Sequence, residues 1–179
     1  FQTSGDKIRF FFEQDAFDEA GQLTRDKTLS INKIGHALHD FDPVFGQFSR
    51  SQKLANLTNN IGLQQPLLLQ SMYIFKQPFI GGEVTCHQDS TFLHTEPLSC
   101  IGFWFALQDA TIDNGCLYAI PGRYPLKQRF HYQDNLLVME TLEASDWPQQ
   151  KALPLEVAQG SLIVLDGLLP HFSSANRSA

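Results

Sequence analysis

Three residues in this sequence have the types and the spacing to hold a redox-active metal. His87 and Asp89 are separated only by Gln88 at the end of a glycine-rich loop, and His171 follows soon after the apolar run 161–165. In an extended segment, side chains two apart share a face, so an imidazole and a carboxylate can be presented to a single point. A second imidazole from a distant strand then completes two nitrogens and one carboxylate on one side of a metal. That donor set leaves the remaining positions of a non-haem Fe(II) open for substrate and O₂. An H-x-D triplet alone is a weak signal, because so short a motif recurs by chance.

The other histidines and the cysteines are poorer candidates. His36 and His39 stand three apart in a segment whose pattern predicts a helix. Without a nearby cysteine or third histidine, that spacing favours a solvated helix face over a zinc site. His94 and His131 are assigned no metal role. Cys86, Cys100 and Cys116 form no CxxC pair, and their odd number is a poor disulfide framework, so reduced thiols and a cytoplasmic location are expected.

Stepping out along the chain, the residues around the triplet are short and β-prone: 67–75, 100–107, 116–120, 136–139 and 161–165. Turn signals separate them at Gly81-Gly82, Asn114-Gly115, Pro121-Gly122, Gln159-Gly160 and Asp166-Gly167. Upstream, 7–12 is an aromatic strand followed by a polar loop. Ser30 is placed to cap a helix carrying Ile31, Ile34 and Leu38 on one face, with Lys33 pointing away from it. A second helix is predicted from about Pro43 to Asn60, opened by Asp42-Pro43 and closed by Gly62, with Val44, Phe48, Leu54 and Leu57 available for burial. Strands at this density after an N-terminal pair of helices predict a mainly β jelly-roll or sandwich with helices packed on one side.

Size and charge narrow the function. A chain of 179 residues fits a single domain spanning 1–179, large enough to bury a core without staples. Asp+Glu 19 against Lys+Arg 13 gives a net charge of -6, which disfavours nucleic acid as a partner. No apolar run approaches the ~20 residues of a membrane span. A small-molecule substrate is the expected partner; oligomeric state is not encoded in any pattern here.

Ordered motifs raise the triplet above chance. Ser71–Lys76, Gly81–Asp89, Trp104–Asp109, Asn114–Gly122 and Gly160–His171 with Ser173 resemble, in order and spacing, the phytanoyl-CoA dioxygenase family. The segments 4–12 and 30–38 are similar to one branch of that family, and 124–155 diverges. The resemblance implies a double-stranded β-helix, Fe(II) held by His87, Asp89 and His171, and 2-oxoglutarate as cosubstrate with O₂, ascorbate being a compatible accessory reductant. It further implies that Lys33, Met72, Trp104 and Ser173 contact 2-oxoglutarate, Lys33 and Ser173 at its distal carboxylate. Period two places Trp104 on the face of Gly102 and Ala106, where small neighbours leave room for a ligand.

The family pattern is broken twice. Pro121-Gly122 is followed by Arg123-Tyr124 instead of Ser-His, which bears on substrate preference. The family's bidentate arginine lies about eleven residues beyond the distal histidine, past Ala179, so a core trimmed at both ends is expected. The expected activity is hydroxylation of a small, acyl or lipid-like substrate with release of succinate and CO₂. Two alternatives stay open: a non-catalytic small-anion or partner-binding module on the same fold, and a cupin-type metalloprotein without 2-oxoglutarate. Arg123, Lys127 and Arg129 could meet an anionic substrate, although three basic residues in a divergent loop read more simply as a solvated face.

Overall fold

A computed structural model describes residues 4–178. They fall into two compact units, Phe1–Gln77 and Pro78–Ala179.

In the first unit, β1 (Ile8–Phe12), β2 (Ile31–His36) and β3 (Ser71–Ile74) form an antiparallel sheet with β2 in the centre. Between β2 and β3 run the helices α1 (Leu38–Phe41), α2 (Pro43–Ser49) and α3 (Gln52–Asn60). The helix expected from Ser30 is therefore a strand. Residues Lys27–Ser30 form a 3₁₀ turn capped by Asp26, which accepts from the Thr28 N–H, and Ile31 to His36 then pair on both edges. The recurrence of Ile31, Ile34 and Leu38 imitates a helical face, but β-branched residues flanked by two partner strands are better satisfied in a ladder.

This change of element moves several side chains. His36 and His39 are buried instead of solvated: His36 Nδ1 is hydrogen-bonded to Ser4 Oγ at 2.8 Å and His39 Nδ1 to Ser71 Oγ at 2.7 Å. The second predicted helix starts at Asp42-Pro43 as expected, with Asp42 accepting from the Val44 and Phe45 N–H groups, and ends just before Gly62. It is broken at Arg50 and Ser51, where Ser51 is extended and the Arg50 guanidinium turns back to the His39 carbonyl and Asp40. Val44 and Phe48 are exposed, contrary to expectation.

The second unit is almost all β. The strands β4 (Val84–His87), β11 (His171–Ser173), β6 (Leu117–Ala119) and β9 (Leu153–Leu155) hydrogen-bond in that order, and β5 (Ile101–Phe105) pairs antiparallel with β10 (Leu162–Asp166). A hairpin is made by β7 (Gln128–Gln133) and β8 (Leu136–Thr141), and a single turn of helix, α4 (Asp89–Phe92), follows β4. Strands β4, β7, β9 and β11 fall outside the runs read from the sequence. Ala106, Cys116, Ala119, Ile120 and Leu165 supply the buried apolar centre of this unit. Among the described residues no helix is long and apolar enough to cross a membrane.

Candidate metal centre

The three candidate ligands converge because two strand ends meet. In the ladder between β4 and β11, His171 stands directly opposite His87, and their ring centroids are 4.4 Å apart. Gln88 keeps the chain extended past β4 (φ -113, ψ 135), so that Asp89, two residues on, returns to the His87 face before opening α4. Asp89 Oδ1 lies 3.7 Å from His87 Nε2 and 3.7 Å from His171 Nε2. All three ligand atoms fall within 4.8 Å of one another, and among the described residues this is the one group of three such side chains so placed.

Both imidazoles are oriented by their own chain. His87 Nδ1–H donates to the Thr85 carbonyl at 2.8 Å and His171 Nδ1–H to the Leu169 carbonyl at 3.0 Å. A carbonyl only accepts, so Nδ1 carries a proton in each ring and Nε2 is the atom that faces Asp89. Spacings of 3.7 Å are too long for direct hydrogen bonds and suit a cation held between the three groups. Two imidazoles and one carboxylate are the donor set of a facial non-haem iron site, and the residues present fit that metal.

Behind the ligands, close packing fixes their positions. Gln88 is wholly buried; its Nε2 donates to the Pro125 carbonyl at 3.0 Å and the Leu168 carbonyl at 2.7 Å, and its Oε1 accepts from the Lys127 N–H at 3.0 Å. A Cβ on Gly102 would lie 2.9 Å from Asp89 Oδ2, which puts that face of β5 directly under the carboxylate. A Cβ on Gly167 would collide with Ser90 Oγ and lie 2.7 Å from the Cys100 carbonyl, while the Gly167 carbonyl accepts from the Ser90 N–H at 2.9 Å. Glycine inside a strand signals such close approach, a cue present in the sequence at Gly102. The sequence marked Gln88 only as a spacer and Gly167 only as part of a turn; their supporting roles depend on contacts with distant segments.

The residues expected to meet a cosubstrate are distributed over both units. Ser173 is buried and stands two residues from His171, on the same face of β11. Trp104, opposite Ile163, shares the face of β5 on which Gly102 approaches Asp89, as its alternation predicted. In the first unit, Lys33 and Gly35 share a face of β2, and Met72, paired with Gly35, lays its side chain over it: a Gly35 Cβ would be 2.9 Å from Met72 Cγ. Lys33 and Met72 thus occupy one face of that sheet. Burial pulls the Lys33 ammonium below its ordinary pKa, and the buried Glu13 carboxylate opposes the shift.

A cleft of about 600 Å³ opens beside His87, between α4, β7 and the segment 141–150. Lys127 is its buried corner. The Lys127 Nζ donates to Ser145 Oγ at 2.9 Å, to the Asp146 carbonyl at 3.1 Å and to the Ser145 carbonyl, and lies 4.0 Å from the centre of the Trp147 ring. Arg129 donates to Glu140 at 2.7 Å and reaches Glu96 at 3.7 Å. Neither belongs to the solvated face expected from the sequence; only Arg123 of that trio is exposed and outside such a network. His94 and His131, without partners in the sequence reading, lie against Glu96 and Glu140 at 3.3 and 3.7 Å.

Comparison with known proteins places this architecture. Relatives include a phytanoyl-CoA dioxygenase of Arabidopsis thaliana, 47% identical over 100% of this chain and 64% of its own length. The phytanoyl-CoA dioxygenase domain-containing protein 1 of Mus musculus is 46% identical over 99% of this chain and 63% of its own. The chain thus spans less than two thirds of the curated relatives it matches. Among solved structures, the non-heme alpha ketoglutarate dependent carbocyclase SnoK from nogalamycin biosynthesis aligns with a TM-score of 0.65 at 17% identity, covering 96% of this chain and 63% of that one. EctD from S. alaskensis, solved with 2-oxoglutarate and 5-hydroxyectoine, aligns at 0.60 and 18% identity, covering 99% and 70%. At such identities the likeness is one of fold, the double-stranded β-helix with N-terminal helices. The sequence profile described as Phytanoyl-CoA dioxygenase (PhyH) matches residues 1–179. The order of motifs, the paired strand ends that carry His87 and His171, and this end-to-end match make the chain a member of the phytanoyl-CoA dioxygenase family.

Proposed function

We propose that this chain carries the catalytic core of an Fe(II)- and 2-oxoglutarate-dependent oxygenase acting on a small molecule. The observation that carries the reading is the placement of Asp89 Oδ1 at 3.7 Å from both histidine Nε2 atoms, with each ring's Nδ1 held by a backbone carbonyl. Bound there, Fe(II) would supply the redox chemistry that couples decarboxylation of 2-oxoglutarate to succinate and CO₂ with oxygen insertion into a C–H bond. His87, Asp89 and His171 hold the metal from one side and leave the other for small ligands.

For 2-oxoglutarate we assign Lys33, Met72, Trp104 and Ser173, on the family resemblance. Lys33 offers an ammonium and Ser173 a hydroxyl to a carboxylate, while Trp104 and Met72 offer apolar walls. O₂ is the oxidant and ascorbate a compatible reductant for the metal. A cupin-type centre with a fourth protein ligand is disfavoured, because no fourth such side chain joins the group among the described residues.

The test is to measure Mn(II) affinity and Fe(II)-dependent succinate formation in the full-length protein and in His87→Ala, Asp89→Ala and His171→Ala. Each variant should lose most of the metal affinity and all succinate formation. Undiminished Mn(II) binding and turnover in His87→Ala and Asp89→Ala would refute the assignment.

A further inference from the structure

On the strength of the metal-centre reading, we infer that Lys127 is a positioning residue that acts through Gln88. It joins the segment 141–150, one wall of the cleft beside His87, to the spacer between two metal ligands, so that metal binding and ordering of that wall occur together. The consequence is an order of assembly: the metal first, then the molecule that the cleft receives.

Lys127 is 7% exposed, and the chemistry at the metal makes no use of it. A buried ammonium is tolerated where its three N–H groups find acceptors. All three acceptors come from the wall: the Ser145 carbonyl, Ser145 Oγ at 2.9 Å and the Asp146 carbonyl at 3.1 Å, with the Trp147 ring centre 4.0 Å from Nζ. The Lys127 carbonyl holds the same segment by accepting from the Leu142 and Glu143 N–H groups at 2.7 and 3.1 Å. Residues 141–146 are exposed, and 142–148 form neither helix nor strand. Their order therefore depends on these bonds to Lys127 and on the edge contact of Trp147 with Tyr124, whose ring centroids are 5.8 Å apart. A segment held in this way has two states, pinned and released.

The other end of the connection is at the ligands. The Lys127 N–H donates to Gln88 Oε1 at 3.0 Å, and Gln88, wholly buried, lies between His87 and Asp89. In so close-packed a place its backbone cannot shift without moving both ligands. Gln88 Nε2 also donates to the Leu168 carbonyl at 2.7 Å, and the next carbonyl along, that of Leu169, orients the His171 ring. One side chain thus braces both chain segments that deliver ligands, and Lys127 connects it to the wall by direct hydrogen bonds. Releasing the wall frees Lys127 and loosens its bond to Gln88. By linkage, any affinity that the metal gains from a pinned wall is returned as stabilisation of the wall by the metal, with the same factor in both directions.

The experiment follows amide hydrogen exchange by mass spectrometry in the full-length protein with and without saturating Mn(II), after a titration has established that Mn(II) binds. The amides of Leu142, Glu143 and Ser145 should exchange about tenfold more slowly with the metal, within the usual range of such couplings. Lys127→Met keeps the aliphatic stem and removes the ammonium. With β5 and β10 exchanging as in the unmodified protein, this variant should lose the metal dependence at those amides, and its Mn(II) affinity should fall by the same factor of about ten. Equal exchange of the three amides with and without Mn(II) in the unmodified protein overturns the inference, as does undiminished Mn(II) affinity in Lys127→Met with β5 and β10 still protected. Should Lys127→Met not fold, the exchange of the unmodified protein decides alone. Failure of the metal-centre reading registers separately, as absent Mn(II) binding in the titration.

Discussion

Gly102 stands directly beneath Asp89: a methyl group there would come within 2.9 Å of the carboxylate oxygen Oδ2. The obstacle is the mobile end of a side chain, so a substitution would be absorbed by turning the carboxylate away from the two imidazoles. Gly102→Ala should therefore leave the thermal midpoint nearly unchanged and lower Mn(II) affinity about tenfold, the scale of a disturbed ligand environment. Parallel calorimetry and metal titration check both halves.

Gly167 presents the opposite case. Its missing Cβ would meet the Cys100 carbonyl at 2.7 Å and Cys100 Cβ at 2.9 Å, atoms of a paired strand's edge that cannot rotate aside. Gly167→Ala should cost about 1–3 kcal/mol of stability, as overpacking does, visible as a lower urea midpoint.

Gln88 links the ligand triplet to two loops. Replacing it with alanine would strip partners from the Lys127 N–H and from the Pro125 and Leu168 carbonyls inside a fully buried pocket. A loss of about 2–4 kcal/mol is expected for Gln88→Ala by urea unfolding, because buried groups left without partners cost more than the bonds contributed.

Acid should loosen the β7–β8 hairpin through Glu140. The Arg129 hydrogen bond holds its carboxyl below the ordinary value of 4.5, with Arg129 and His131 charges adding to the effect. A folded-state pKa lower than the unfolded one contributes stability above 4.5 that is lost as pH falls through the lowered value. Glu140→Gln should flatten that acid limb in a series of unfolding curves and change little at neutral pH.

Cys86 and Cys100 should resist alkylation in the folded protein. Burial raises both thiols from 9.0 to about 11, with Asp89 and Asp166 adding to the shift at Cys100. Thiolate is the reacting form, so iodoacetamide at pH 8 should modify these two about 100-fold more slowly folded than in urea. Peptide mass spectrometry over a time course resolves each site.

What could be read from the chain alone depended on the range of the interaction. The His87–Asp89 spacing was readable because an extended triplet places its outer residues on one face whatever surrounds it, and Trp104 followed by the same alternation. Ile31 to His36 misled, because β1 and β3, which make it a central strand, lie far away in sequence and leave no mark on the segment itself. Lys127 read as a surface charge for a related reason. Its acceptors are two backbone carbonyls and a hydroxyl 18 and 19 residues on, and backbone carbonyls carry no residue signature.

The Nδ1 bonds of His87 and His171 each close within their own strand end, so every imidazole is aimed by residues two positions away. The two halves of the ligand set are thus prepared locally, on segments roughly eighty residues apart, and only the β4–β11 ladder brings them together. A metal ion bound there acts as a clasp across a long loop: chelation should stiffen the whole C-terminal unit, and removing the ion should be felt first as fraying of that ladder.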